Sequence, residues 1–593
     1  MLPRLHTTHT SAPSAVIISS LGALLILTGI LVPSSKLIGV LRTTPVALVE
    51  QLLLGATLFK VGLVLLGLSV IGLARMSIWI SASQSEKRLL DPRHRSILVI
   101  LAVIILAASA LRLYRLDSGL WLDEILTYVM YAEMPFGEII STYDSENQHF
   151  LYTLLAHASF TVFGKGAWPF RLPAVLFGVG SICALYLLGR EVTSEREALL
   201  SSALLAFSYH HVWFSQNARG YTGLLFWAIL SSWLLVRGLR GAKPRLWLLY
   251  AATVAFGVYT HMSMVFVAIG HFIIYLIAIF LRRREAWPDK WASFFLGFCV
   301  AGLLTFQLHA LVLPQIFGTI SGTEKSVVVA WKSPLWTLLE VARGIQIGFA
   351  GSVVAIAALT LFGAGLVSFA RTNPVVIQLL FIPSLIGTAV IVTMGHHLWP
   401  RFYFFAFGFG ALVLSRGLMV LGHVTTRLLN LGPRKSAPLG SALAMGLILF
   451  SMTSLPSAYG PKQDYLGALA FVESRKEPGD TIVTVGLATF PYKYFYKVDW
   501  EAVDTLEALN AVRSRSKRTW LLYTIPPVLQ SVYPDIMASI SRDFNVVKQF
   551  HGTLRQGTIV VCRSDIPPSQ PIRTTKAILE GATLGTKLPE TTM

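Results

Sequence analysis

The sequence predicts a polytopic α-helical membrane protein with a small α/β domain near its C-terminus. Three observations point there. Of 593 residues, 54% are hydrophobic and only 13% charged, about half the charge of an ordinary soluble domain. Apolar stretches long enough to cross a bilayer core of about 30 Å recur along the chain. The pattern then changes after residue 456, where short apolar strands alternate with helical segments.

Thirteen spans are predicted, at 15–33, 47–71, 96–112, 169–189, 197–213, 220–238, 246–262, 263–281, 291–313, 350–369, 375–394, 401–420 and 438–456. The first is long for a signal-peptide core and lacks an A-x-A cleavage pattern, so it is read as a retained span. Basic residues orient the set. They cluster as Arg75, Lys87, Arg88, Arg93 and Arg95; as Arg237, Arg240, Lys243 and Arg245; as Arg282, Arg283, Arg284 and Lys290; and as Arg427, Arg434 and Lys435. Alternating spans put all four clusters on one face, which the positive-inside bias makes cytoplasmic. The opposite face receives 113–168, 314–349 and everything after about 456. The net charge of +19 is thereby assigned to membrane topology, and no nucleic-acid partner is expected.

Beyond the last span, Asp480 to Val485, Thr519 to Tyr523 and Thr558 to Val561 read as buried strands, with helices near 463–474 and 527–542. The expected organisation is 1–94 as two extra N-terminal helices and a cytoplasmic linker, 95–456 as the core bundle with an acidic outer loop 113–168, 457–566 as the α/β domain, and 567–593 as a polar, disordered tail. Cys183, Cys299 and Cys562 cannot form a disulfide framework. All six asparagines fail the N-x-Ser/Thr pattern, which leans toward a bacterial plasma membrane.

The acids are concentrated. Seven of the thirty lie within 114–150: Asp117, Asp123, Glu124, Glu133, Glu138, Asp144 and Glu146. A solvated loop accounts for Glu133 and Glu138. It does not account for Asp123 and Glu124, embedded in Leu-Trp-Leu-Asp-Glu-Ile-Leu at the membrane edge, where carboxylates are costly to desolvate without a partner or a task. Helical neighbours point about 100° apart, so only one can face a cavity. Asp123 is expected to face inward, with Glu124 packing sideways. A second cluster runs from Asp144 through Glu146, Asn147 and His149 to Tyr152, and opens an apolar stretch, 149–163, suited to lie in the interface plane. Further polar groups reach the outer ends of spans: His210, His211, Arg219 and Tyr221; Tyr259 and His261; and His396, His397, Arg401 and Tyr403. An arginine at that depth fits an anionic ligand such as phosphate, which it grips bidentately; the bland alternative is snorkelling to headgroups. Glu146, His149 and His261 match metal-ligand types without metal-site spacing.

In these motifs the sequence resembles the GT-C superfamily of polytopic glycosyltransferases, near the family-39 protein mannosyltransferases and lipid A aminoarabinose transferases. The resemblance rests on Leu111-Arg112-Leu113 followed by Asp123-Glu124, on Glu146-Asn147-Gln148-His149-Phe150-Leu151-Tyr152, on Phe163-Gly164 with Arg171-Leu172-Pro173, and on Ala218-Arg219-Gly220-Tyr221, Tyr259-Thr260-His261 and Pro400-Arg401-Phe402-Tyr403. It covers roughly 95–456 and leaves the first two spans outside. Where relatives often carry a Pro-Pro pair after the acidic motif, this chain has Gln148-His149-Phe150, and no lumenal insert of the protein-mannosylating members is evident. The resemblance implies transfer of one sugar from a polyprenyl-phosphate donor to an acceptor (glycolipid, polymer or protein) on the outer face, with inversion at C1. It implies Asp123 as base, Glu124 or Glu146 orienting the acceptor, and Arg219, Arg401, His149, Tyr221, Tyr259, His261 and Tyr403 binding substrate. No cofactor is required, and a divalent metal is optional. The rival classes are a lipid or solute transporter, an en-bloc oligosaccharide ligase or polymerase, and an assembly subunit without chemistry.

Overall fold

The computed structural model describes residues 12–42, 49–75, 92–241, 245–281, 288–322, 328–348 and 351–565. The expected tail 567–593 lies outside the described residues, as do Lys87, Arg88, Lys243, Arg282, Arg283 and Arg284. Among the described residues, nine helices are long and apolar enough to cross a membrane, or up to eleven if each of two sharply bent pairs counts as one span. The protein is a multi-pass helical membrane protein with a small C-terminal sheet domain.

The expected count of thirteen is not reached, for local reasons. The stretch read as 197–213 divides into Glu195–Ala206 and Tyr209–Ser215; a twelve-residue helix is about 18 Å long. Arg245–Thr260 has sixteen residues and likewise falls short. Leu205 and Ala206 of the first and Tyr250 and Ala251 of the second are wholly enclosed, whereas Leu249 and Phe256 of the second are exposed. Hydropathy reads them as spans because it registers apolar character and not where a helix breaks. The first span bends by 102° between Val16–Leu31 and Ser34–Leu41, and Ser293–His309 bends by 82° into Leu313–Ser321.

The short N-terminal piece runs along the acidic loop. Arg42 Nη1 donates to Thr142 Oγ1 at 2.9 Å and to the Ser141 carbonyl at 3.3 Å. A side chain at Gly137 would meet the Leu41 carbonyl at 2.0 Å, so glycine is required for this approach. The two helices outside the family resemblance thus brace the loop that carries Asp144 and Glu146.

The C-terminal domain is built on a five-stranded sheet of β1 (Asp480–Val485), β2 (Glu501–Val503), β3 (Arg518–Thr524), β4 (Asn545–Phe550) and β5 (Ile559–Ser564), in the order β2-β1-β3-β5-β4. The β1 strand pairs parallel to β2 and β3, whereas β5 pairs antiparallel to β3 and β4. The three strands expected from sequence are the central ones. The two edge strands escape the pattern: β2 has three residues, and β4 is exposed along five of its six positions. The helix expected at 527–542 breaks into Pro526–Val532 and Pro534–Asp543, because the residue before a proline disfavours helical geometry.

This domain does not hang from the bundle as a separate body. One hydrophobic core joins Leu120 and Ile125 of the acidic loop, Tyr152 and Phe170 of the bundle, and Tyr465, Ala468, Ile482 and Trp520 of the domain. Polar contacts seal the seam. Leu122 N–H donates to Gln463 Oε1 at 2.9 Å, Lys462 Nζ donates to the Gln216 carbonyl at 2.7 Å, and Trp213 Nε1 donates to Thr553 Oγ1 at 2.8 Å.

Candidate active site

Asp123 and Glu124 open a one-and-a-half-turn helix, Leu122–Thr127. Two carboxylates in the first turn suit the positive end of a helix dipole, and adjacency sends them to opposite sides. Glu124 is wholly buried. Its Oε1 accepts from Arg171 Nε at 2.8 Å and from Ala218 N–H at 2.6 Å; its Oε2 accepts from Arg171 Nη2 at 2.6 Å. Arg171 spends its remaining donors on the Leu116, Ser118 and Gly119 carbonyls at 2.7–3.0 Å. Burial alone would raise the Glu124 carboxyl, but the Arg171 guanidinium holds it below the ordinary range. With both oxygens occupied and no exposure, Glu124 anchors the loop and has no free lone pair aimed at a cavity.

Asp123 faces the other way. Its Oδ2 lies 3.1 Å from Arg401 Nη1, outside hydrogen-bond geometry, so this buried oxygen has no hydrogen-bond partner among the described residues. Arg401 starts the tight turn Pro400–Ala406 that leads into Phe407–Leu428. Its guanidinium sits 4.9 Å from the Trp399 ring and 6.0 Å from the rings of Trp121 and Tyr221, a cation held by aromatic faces.

Arg219 closes the same pocket. Its Nη1 donates to Thr127 Oγ1 at 2.8 Å and to the Asn147 carbonyl at 3.0 Å, linking the Asp123 helix to the Glu146 loop. Gly220 follows because a side chain there would meet the Thr260 carbonyl at 2.5 Å and His149 at 3.3 Å. The His149 ring lies 4.8 Å from His261 and 5.9 Å from Tyr221, with His261 5.1 Å from Tyr221. Burial, then the Arg219, His261 and Arg401 charges, push His149 well below its ordinary value, so it is neutral. Asp123 Oδ2, Arg219 Nε, Arg401 Nε and His149 Nε2 are all buried without a hydrogen-bond partner among the described residues. Buried polar atoms in folded proteins are almost always paired, so four orphans around one place describe a site shaped for a polar, anionic ligand.

Other expected residues lie differently. Glu146 is half exposed, 3.7 Å from His396 Nδ1, at the rim. Tyr259 stacks on Phe150 at 5.1 Å and 8°, and belongs to an apolar cluster with Leu311 and Ile316. The Tyr403 hydroxyl pairs with Thr388 Oγ1 at 2.7 Å, away from the pocket. His211 bridges Arg112 Nη2 and Ser181 Oγ, and His210 pairs with the Gly344 carbonyl; both are structural. Among the described residues, no three His, Cys, Asp or Glu side chains converge as a metal-binding group. His149 and His261 stack at 24°, ring face to ring face, and Glu146 turns to His396.

Sequence reading missed the contribution of the C-terminal domain. Lys462 and Gln463 reach Gln216 and Leu122 across more than 240 positions, and no local pattern marks them. The Lys462 ammonium also lies 5.0 Å from the Trp213 ring.

Fold and site together define a helical membrane protein in which Arg401 meets the Asp123 carboxylate, Arg219 ties the Asp123 helix to the Glu146 loop, and the sheet domain reaches the same helix through Gln463. Comparison with known proteins gives this a context. Residues 148–309 match the model of the family described as dolichyl-phosphate-mannose-protein mannosyltransferase. YkcB of Bacillus subtilis (strain 168), whose own designation as a mannosyltransferase is provisional, is 26% identical over 209 residues, covering 32% of this chain and 28% of that protein. Among solved structures, ArnT from Cupriavidus metallidurans in the apo state matches 80% of this chain and 98% of its own at 14% identity and a TM-score of 0.48. The Archaeoglobus fulgidus oligosaccharyltransferase with zinc and sulfate matches 78% and 74% at 10% identity and a TM-score of 0.46. The family match over residues 148–309 falls within the stretch 95–456 that carries the motif resemblance.

Proposed function

We propose that this protein is an integral membrane glycosyltransferase. It moves one sugar from a polyprenyl-phosphate donor to an acceptor on the outer face of the membrane, in a bacterial plasma (inner) membrane, with the α/β domain on that same outer side. The observation that carries the reading is the Asp123–Arg401–Arg219 pocket with its unpaired buried atoms. Arg219 makes no carboxylate contact among the described residues and Arg401 meets Asp123 alone, so the pair keeps positive charge for a lipid phosphate. The acceptor hydroxyl attacks C1 of the sugar as the bond from C1 to the phosphate oxygen breaks. The proton passes to Asp123, within the reach a general base needs, and the departing polyprenyl phosphate keeps the electron pair, its charge stabilised by Arg401 and Arg219. A single displacement inverts C1. His149 and Tyr221 line the pocket as hydrogen-bonding groups, and Glu146 at the rim orients the acceptor. The scheme needs no nucleotide and no metal.

The test is transfer of labelled sugar from a panel of undecaprenyl-phosphate sugars to membranes of a strain lacking the gene, by purified wild type and Asp123→Asn. Transfer by wild type and its loss in Asp123→Asn support the reading. Movement of intact donor across vesicles without transfer would favour the rival, a polytopic lipid or solute transporter, which shares the intramembrane charges.

A further inference from the structure

Between the bent pair that ends at Ser321 and the span Ser352–Thr372 lies a helix that the transfer scheme does not use, Pro334–Gly348. Its fifteen residues reach about 22 Å, short of a bilayer core of about 30 Å, so it does not cross a membrane. Its surface is the reverse of a soluble helix. The inward side is polar or small. Thr337 and Gly348 are buried, Thr337 Oγ1 donates to the Leu398 carbonyl at 2.6 Å, and His210 Nε2 donates to the Gly344 carbonyl at 2.7 Å. Glu340 pairs with Arg343 and, at 3.2 Å, with Arg555 of the sheet domain. The outward side is leucine. Leu335 and Leu338 are each 65% exposed and Leu339 is 49% exposed. With the exposed Ala342 they form one stripe of a helix.

An exposed apolar stripe of this kind marks a partner, and three observations name it. Just beyond Gly348 the span Ser352–Thr372 begins, and its Val353, Ile356 and Leu359 are also exposed, so the stripe continues a surface that a bilayer covers. At the N-terminal end Trp331 and Trp336 lie 4.8 and 5.5 Å from Trp399, and tryptophan gathers at headgroup level. At the flank Arg343 and Arg555 share the single carboxylate of Glu340, which leaves net positive charge where long cationic side chains reach lipid phosphates.

We propose that Pro334–Gly348 lies in the plane of the membrane on the side of the Arg401 pocket, with phospholipid acyl chains covering Leu335, Leu338 and Leu339. Seated there, it holds the segment that carries Arg401 at headgroup depth. Leu398 N–H donates to the Trp331 carbonyl at 2.9 Å, and the Arg401 guanidinium sits 4.9 Å from the Trp399 ring. This seating is independent of the transferase reading, because it follows from the helix and not from the chemistry of the pocket.

The experiment places a photo-crosslinking side chain in the full-length protein, as Leu338→p-benzoylphenylalanine and, in a second variant, Leu335→p-benzoylphenylalanine. Both positions face outward, so neither change disturbs packing. The protein is held in nanodiscs of phosphatidylethanolamine and phosphatidylglycerol. Ile356 in the neighbouring span and the exposed Ser531 of the sheet domain carry the same substitution as lipid and water references. On illumination the variants at Leu335 and Leu338 should gain the mass of a phospholipid, as the variant at Ile356 does, while that at Ser531 gains none. Lipid adducts at Ile356 but at neither leucine would overturn the proposal and turn the stripe to water. So would adducts of protein mass at the leucines, which mark a second copy of the chain as the occupant.

Discussion

Two adjacent carboxylates should fail in opposite ways, and the contrast tests the site directly. Glu124→Gln removes the charge that faces Arg171 in a wholly buried pair. It weakens three contacts at 2.6–2.8 Å, two from Arg171 and one from Ala218 N–H. Breaking one side of such a pair costs about 3–5 kcal/mol, because the remaining charge stays buried. The carbonyls of Leu116, Ser118 and Gly119 still accept from Arg171, which places the cost toward the lower bound. At roughly 1–2 °C per kcal/mol for a chain this long, the melting temperature should fall by about 3–6 °C. Asp123→Asn, by contrast, loosens a less buried ion pair with Arg401 at 3.1 Å, so its melting temperature should fall by less than that of Glu124→Gln, while transfer is lost by about a hundredfold or more. Both quantities are read from purified protein in one detergent, by intrinsic tryptophan fluorescence on heating and by the labelled-sugar assay. A Glu124→Gln variant that melts like wild type, or an Asp123→Asn variant that melts lower than Glu124→Gln, would refute the division of labour.

Arg401→Ala should abolish the stabilisation that added undecaprenyl phosphate gives the wild type, seen as loss of the ligand-induced rise in melting temperature; an unchanged rise would remove the phosphate role. Lys462 gives a pH signature. Burial and the Arg171 charge push its ammonium down to about 7, against the pull of Glu124. Between that value and the ordinary lysine range, the unfolded chain holds a proton that the folded chain has released, so stability rises with pH across this window. Below it, the cost of burying the charge is present in full. Lys462→Met should flatten the melting profile from neutral to alkaline pH, and a profile parallel to wild type counts against it. Tyr403→Phe should leave transfer within about twofold of wild type, since its hydroxyl serves Thr388 and such a bond is worth about 1 kcal/mol; a loss comparable with Asp123→Asn would return Tyr403 to the pocket.

Much was legible in the sequence because the relevant physics is local. A bilayer demands long apolar helices, so hydropathy located every long span. Charge is expensive at membrane depth, so Asp123, Arg219 and Arg401 stood out from their neighbours, and the alternation of two adjacent acids on a helix foretold that Glu124 would pack aside. Local patterns could not say where an apolar stretch breaks or how long its helix runs, and so read Glu195–Ser215 and Arg245–Thr260 as full spans. Nor could they tell that Tyr259 and Tyr403 turn to Phe150 and Thr388, because a side chain's direction is chosen by what packs against it. The seam was beyond them altogether. Leu122 and Gln463 stand 341 positions apart, and only a folded chain, in which one hydrophobic core closes over the acidic loop and the sheet domain together, brings Gln463 to the backbone beside Asp123.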